Sequence, residues 1–132
     1  MKFTQQRADG ANLIRRYGAD FIQVGEQELR ASCLVNATSV TPWPPRSVEE
    51  LSAESFTAIF ELNPEVVVLA TGATQKFPRA ALRAEFATRR IGLEVMEIGA
   101  ACRTYNVLVS EERRALAAVL LPGSWGASKR SE

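Results

Sequence analysis

Cys102 and Arg103 stand side by side in the stretch IGAACRTYNVLVSEERR, residues 98–114. A thiol beside a guanidinium near a helix start favours thiolate, because cation and helix N-terminus both lower a cysteine pKa from about 8.5. The other reading is a small apolar plug packed with Ala100 and Ala101. A second group with chemistry is TGATQKFPR, which carries Thr71, Gly72, Lys76 and Arg79. A glycine loop feeding a helix N-terminus can hold phosphate or carboxylate on backbone N–H groups. It has neither the P-loop spacing nor the dinucleotide-binding glycine pattern, so an ordinary strand-to-helix turn stays open beside that reading. A third feature is charge layout. Residues 47–65 hold five glutamates and no Lys or Arg, whereas 76–90 hold Lys76, Arg79, Arg83, Arg89 and Arg90 against Glu85 alone. On a helical wheel Arg79, Arg83 and Arg90 fall beside an apolar Leu82–Phe86 stripe. Such a ridge can dock an acidic partner or pair with the chain's own glutamates.

Several chemistries are absent from the residue inventory. There is no histidine, which removes Ser-His-Asp and Cys-His relays and most metal-binding side-chain sets. Cys33 and Cys102, 69 positions apart, cannot close a structural zinc site alone. No metal and no cofactor is expected. A net charge of +1 provides no field to gather nucleic acid or an anionic membrane.

Elements must position these residues. At 132 residues, 46% hydrophobic and 23% charged, the chain reads as one domain. The expected boundaries are a loose or edge-forming 1–11, a single α/β domain over 12–122, and a disordered tail over 123–132. The start MKFTQQRADG has no apolar leader core, and no apolar run reaches ~18 residues, so no membrane span and a cytoplasmic location are expected.

Leu13–Tyr17 and Phe21–Val24 read as a hairpin around Gly18-Ala19-Asp20. LRASCLVNA reads as one strand, with Leu29, Ala31, Cys33 and Val35 on its inward face. TPWPPRS is a rigid crossover that cannot be a central strand. Ser47-x-x-Glu50 fits a capping box, and Ser52 starts a helix to about Leu62 whose Phe56, Ile59 and Phe60 face the core. EVVVLA, 65–70, is a strand covered on both faces. RAALRAEFATRR is a helix that Gly92 ends at C′, and LEVMEI is the next strand. For RTYNVLV, local propensity favours strand and the Ala101, Tyr105, Leu108 spacing favours helix; both stay open. In either case Asn106 can also be a buried amide that satisfies loop backbone.

PEVVVLATGATQKFP, GLEVMEIGAACRTYNVLVSEERRALAAVLLP and Trp43-Pro44 together resemble a small-domain family. It includes the mitochondrial respiratory complex I assembly factor 3 and an adipogenesis-associated Mth-domain protein. The most specific part is Ala101-Cys102-Arg103-Thr104-Tyr105-Asn106, followed by Leu108. The resemblance implies a three-layer α/β domain with a mixed sheet and an N-terminal β-hammerhead, a helix over 100–110 and a strand over 114–121. It implies no established enzymatic activity. Two positions depart from the family's pattern. Ala70-Thr71-Gly72 replaces Gly-Thr-Gly, and Glu97-Ile98 replaces Asp-Thr, which leaves Gly99 as the expected N-cap. Both departures count against a tight anion site.

If strands 65–70 and 93–97 are parallel, the Gly72 loop and the start of the Cys102 helix share one rim, where open α/β sheets bind ligands. Two functions follow. The first is a non-enzymatic accessory domain with a protein partner on Arg83 and Arg90, assisting assembly of a larger complex, as monomer or weak homodimer. The second is a small-molecule or anion site at the rim, built from Thr71, Gly72, Lys76, Arg79, Cys102, Arg103 and Asn106.

Overall fold

The computed structural model describes residues 10–125. The expectations for residues 1–9 and 126–132 lie outside the described residues. Three strands form a small antiparallel sheet in the order β1-β2-β3: β1 (Ile14–Gly18), β2 (Phe21–Val24) and β3 (Gln27–Leu29). It stands where the resemblance places a hammerhead. The main sheet contains β4 (Ala31–Val35), β5 (Val40–Pro42), β6 (Val66–Ala70), β7 (Gly92–Met96) and β8 (Ala115–Pro122). Its order is β5-β4-β8-β6-β7. β6 runs parallel to β7 and β8, whereas β4 is antiparallel to β5 and β8. Helices α1 (Thr57–Glu61), α2 (Ala80–Thr88) and α3 (Ile98–Ser110) complete the mixed α/β fold.

Alternation along the strands separates two apolar layers. Val66, Val68 and Ala70 of β6 turn to one face, with Cys33, Val35, Ala117, Val119 and the α3 residues Ala101, Cys102 and Tyr105. The small sheet adds Ile22 and Leu29 to that layer. Val67 and Leu69 turn the other way, against Trp43, Phe56, Ile59, Leu82 and Phe86. Every residue of β6 is buried, as its unbroken β-branched run requires when both faces are covered.

Local corrections have physical causes. LRASCLVNA is two strands in two sheets, broken at Arg30. A register shift between Ala31 and Cys33 leaves room for Ser32, whose hydroxyl accepts from Leu121 N–H at 2.8 Å and donates to Leu121 O at 3.1 Å. The first two crossover residues, Thr41 and Pro42, close the edge strand β5, a place that a proline-bearing segment barred from the sheet centre can take. Ser47 makes no capping-box bond; it precedes a 3-10 turn, and Glu50 Oε1 accepts from Arg46 N–H at 2.9 Å instead. Gly92 does not cap α2. The left-handed residue is Arg90, φ 61°, and Gly92 starts β7. α1, α2 and α3 each end this way, on Asn63, Arg90 and Glu112, without the glycine that usually marks such a C′ position. Of the tail expected from 123, Gly123 N–H donates to Arg30 O and the Trp125 indole donates to Ser32 O. A Cβ on Gly123 would collide with that Arg30 carbonyl.

Candidate functional site

The parallel register puts the C-terminal ends of β6 and β7 on one rim, and hydrogen bonds join the turns that leave it. Thr71 N–H donates to Met96 O at 2.9 Å, and Ile98 N–H donates to Gly72 O at 2.8 Å. Gly72 takes φ +95° there, a conformation that other residues adopt only with strain. The loop also closes on itself: the Thr71 hydroxyl donates to Thr74 O at 2.7 Å and accepts from Lys76 N–H at 3.0 Å. The Gly72 turn and the head of α3 are therefore neighbours.

The head of α3 is filled from within. Glu97, not Gly99, is the N-cap, and its carboxylate accepts from Gly99 N–H and Ala100 N–H, each at 2.8 Å. Ala101 N–H donates to Glu97 O. The four leading amides of α3, from Ile98 to Ala101, thus all have partners within the chain. A side-chain carboxylate sits where an exogenous anion would bind. Those backbone N–H groups hold the Glu97 carboxyl below the ordinary glutamate value, with Arg103 adding a smaller pull.

Cys102 lies beneath this rim, not on it. It is 1% exposed, and burial, followed by the Glu97 charge, pushes its thiol up to about 12. Arg103 pulls the other way, and less. The thiolate-favouring environment expected from the Cys-Arg pair is therefore reversed: the carboxylate cap cancels the helix terminus, and the Arg103 guanidinium points outward to donate to the Tyr17 hydroxyl at 2.7 Å. Cys33 is likewise buried, free and raised to about 12 by burial.

Asn106 sits two turns down α3 and acts as an extra rung of sheet. Its Oδ1 accepts from Ile14 N–H and its Nδ2 donates to Ile14 O, both at 2.9 Å. Tyr105, fully buried, donates its hydroxyl to Asn12 O at 2.7 Å. These two side chains clamp the small sheet onto α3.

The basic residues divide. Lys76 Nζ lies 3.6 Å from Glu49 Oε2, a link between the basic and acidic segments inside one molecule. Arg79 is the exposed N-cap of α2. Arg83 Nε donates to Pro78 O at 3.0 Å, and its guanidinium lies 5.8 Å from the Phe77 ring centroid. Arg89 stacks over Phe60 at 4.0 Å. The helical wheel does not extend to Arg90, because α2 stops at Thr88. None of these four arginines makes an ion pair among the described residues.

Sequence reasoning missed two features. Phe77 is 59% exposed; an aromatic inside a polar loop was the available signal. A cleft of about 710 Å³ opens at the opposite end of the parallel strands, between Leu62, Pro64, Val109 and Leu116, with Arg113 and Arg114 at its rim. Nothing in the residue spacing marks it, because its walls come from four separate chain segments. No helix among the described residues is long and apolar enough to cross a membrane.

Residues 14–120 match the family described as "Protein of unknown function (DUF498/DUF598)". The chain belongs to that family. It is 32% identical over 120 residues to the Danio rerio protein named NADH dehydrogenase (ubiquinone) 1 alpha subcomplex assembly factor 3, covering 89% of this chain and 69% of that relative. A Xanthomonas campestris structural-genomics target solved by NMR superposes with a TM-score of 0.79 at 37% identity, over 93% of this chain and 94% of that one. A Bordetella pertussis protein described as a Mth938-like domain shares the fold, with a TM-score of 0.72 at 23% identity over 86% of this chain and 87% of that one.

Proposed function

We propose that this chain is a non-enzymatic accessory domain that holds a protein partner while a larger complex is assembled. The name of its zebrafish relative points to a respiratory complex. The observation that carries this reading is how the two charged regions are used. At the rim, the α3 amides are capped by Glu97 and the nearby Lys76 is paired with Glu49. Around α2, Arg79, Arg83, Arg89 and Arg90 stay exposed, and Arg83 lies over the exposed Phe77 ring. Exposed cations beside an exposed aromatic suit recognition of an acidic protein surface, where charge speeds encounter and fixes orientation. The partner surface is thus the α2 face, with Arg83 and Arg90 as its main cations. The test is affinity purification from the native host. Arg83→Glu with Arg90→Glu should lose most of the retained partner, and an unchanged retention profile would contradict the proposal.

A further inference from the structure

The main sheet has two edges, and they are unlike. β5 is three residues long and ends in Pro42, which blunts it against further pairing. β7 is five residues long and open for part of its length. Gly92 N–H donates to Glu65 O, and Met96 O accepts from Thr71 N–H. Even-numbered residues therefore turn their main chain towards β6, and Leu93 and Val95 turn theirs outward. The Gln75 side-chain amide donates to Val95 O at 2.8 Å. The main-chain N–H and C=O of Leu93 have no partner among the described residues. Along this edge, between β7 and α2, runs a groove of about 620 Å³ walled by Phe77, Ala84, Ala87, Ile91 and Leu93. Leu93 and Val95 pack with the α2-side core and Met96 with the α3-side core, so strand alternation sends the Glu94 side chain to the α3 side, while residue 94 also borders the groove. Glu94 is exposed and makes no ion pair among the described residues.

We infer that β7 is an acceptor edge: an extended segment of a partner protein adds to it as a sixth strand, apolar side chains entering the α2–β7 groove and a Lys or Arg lying opposite Glu94. In this mode main-chain bonds supply affinity, and pockets for alternate side chains supply specificity. Glu94 decides the occupant, because it is the central residue of the edge. Opposite charges directly across a strand pair attract, and like charges repel. The same rule weighs against a second copy. A fully overlapped antiparallel pair of β7 strands sets Leu93 across from Val95, and so sets Glu94 across from Glu94. The Gln75 amide already holds the place of an added strand's N–H at Val95, so docking exchanges one donor for another. Phe77, at the end of the groove, supplies an aromatic anchor. This inference rests on the accessory-domain reading for the existence of a partner, and adds the form that the partner's contact takes.

The test is titration of capped five-residue peptides into the isotope-labelled full chain, followed by NMR. One peptide alternates valine and lysine, a second alternates valine and glutamate, and a third is the lysine peptide with alternate backbone nitrogens methylated. The lysine peptide should shift the Leu93, Glu94 and Val95 amide signals saturably and slow exchange of the Leu93 N–H by about tenfold. It should bind about fivefold more tightly than the glutamate peptide, and the methylated peptide should not bind. Glu94→Lys should invert the preference. Leu93→Pro, which removes an outward N–H together with the Leu93 side chain from the groove wall, should abolish binding; the Glu94 variant keeps the test valid if the proline variant fails to fold. Binding elsewhere, equal binding of both charged peptides, or β7 signals that move with protein concentration alone overturn the inference, the last by making a second copy the occupant. Failure of the peptides while Arg83→Glu with Arg90→Glu still loses its host partner refutes the edge and leaves the accessory reading standing. Peptide binding with no partner ever retained from the host has the opposite meaning.

Discussion

Glu97 and Asn106 are the side chains whose chemistry the fold uses most directly, and both use it on the backbone. Glu97 carries a carboxyl held below the ordinary glutamate value of 4.5 by the Ala100 and Gly99 amides. A group whose folded pKa is depressed adds stability that is present above its unfolded pKa and is lost as pH falls through the folded one. The melting temperature of the native chain should therefore exceed that of Glu97→Gln at neutral pH, and the gap should close as pH falls below about 4.5. Two melting series across that window check it. A constant gap would mean that the charge of Glu97 contributes nothing. Asn106 satisfies both main-chain groups of Ile14, which is 3% exposed. Leaving such buried groups unpaired costs on the order of 1–3 kcal/mol. Asn106→Ala should lose about 2 kcal/mol in denaturant unfolding, and Asn106→Asp, which sets a carboxylate oxygen against Ile14 O, should lose at least as much at neutral pH.

At the scale of elements, the three helix ends share one device. Each passes through a left-handed residue that is not glycine: Asn63, Arg90 and Glu112. For a side chain with Cβ that conformation costs about 1–2 kcal/mol. Arg90→Gly should raise the unfolding free energy by about 1 kcal/mol, read from the denaturant midpoint at constant slope; an unchanged midpoint would show that Arg90 pays no strain. The same positions explain a misreading. Gly92 looks like the end of α2 because glycine is the usual left-handed residue, whereas its actual place is opposite Val66 in the β7 register. Elements whose pattern reports burial were legible: the β6 run, the Leu82–Phe86 stripe and the hairpin about Gly18. Elements set by distant partners were not. β5 exists only because β4 offers it a ladder, and the break at Arg30 reflects two sheets competing for one apolar run. Asn106 and Tyr105 made the 100–110 segment ambiguous locally, because their buried bonds reach Ile14 and Asn12, more than ninety residues away.

For the whole molecule, the β6–β7 rim is engaged by the chain's own groups, whereas the α2 face carries exposed cations. The sequence brought the Gly72 turn and the start of α3 to a common rim, and the backbone bonds between them match that geometry. It did not reveal that Glu97 would fill the helix end or that Cys102 would lie sealed below, since both depend on the rotation of α3 against the sheet. With the rim engaged internally, the proposed partner binds on the α2 face. The direct measurement is quantitative affinity purification from the native host with three chains in parallel. They are the native chain, Arg83→Glu with Arg90→Glu, and the rim variant Lys76→Ala with Cys102→Ala. The rim variant should keep the native partner profile while the double charge reversal loses it. Loss of the partner from the rim variant, with the charge-reversed chain still binding, would contradict the proposal.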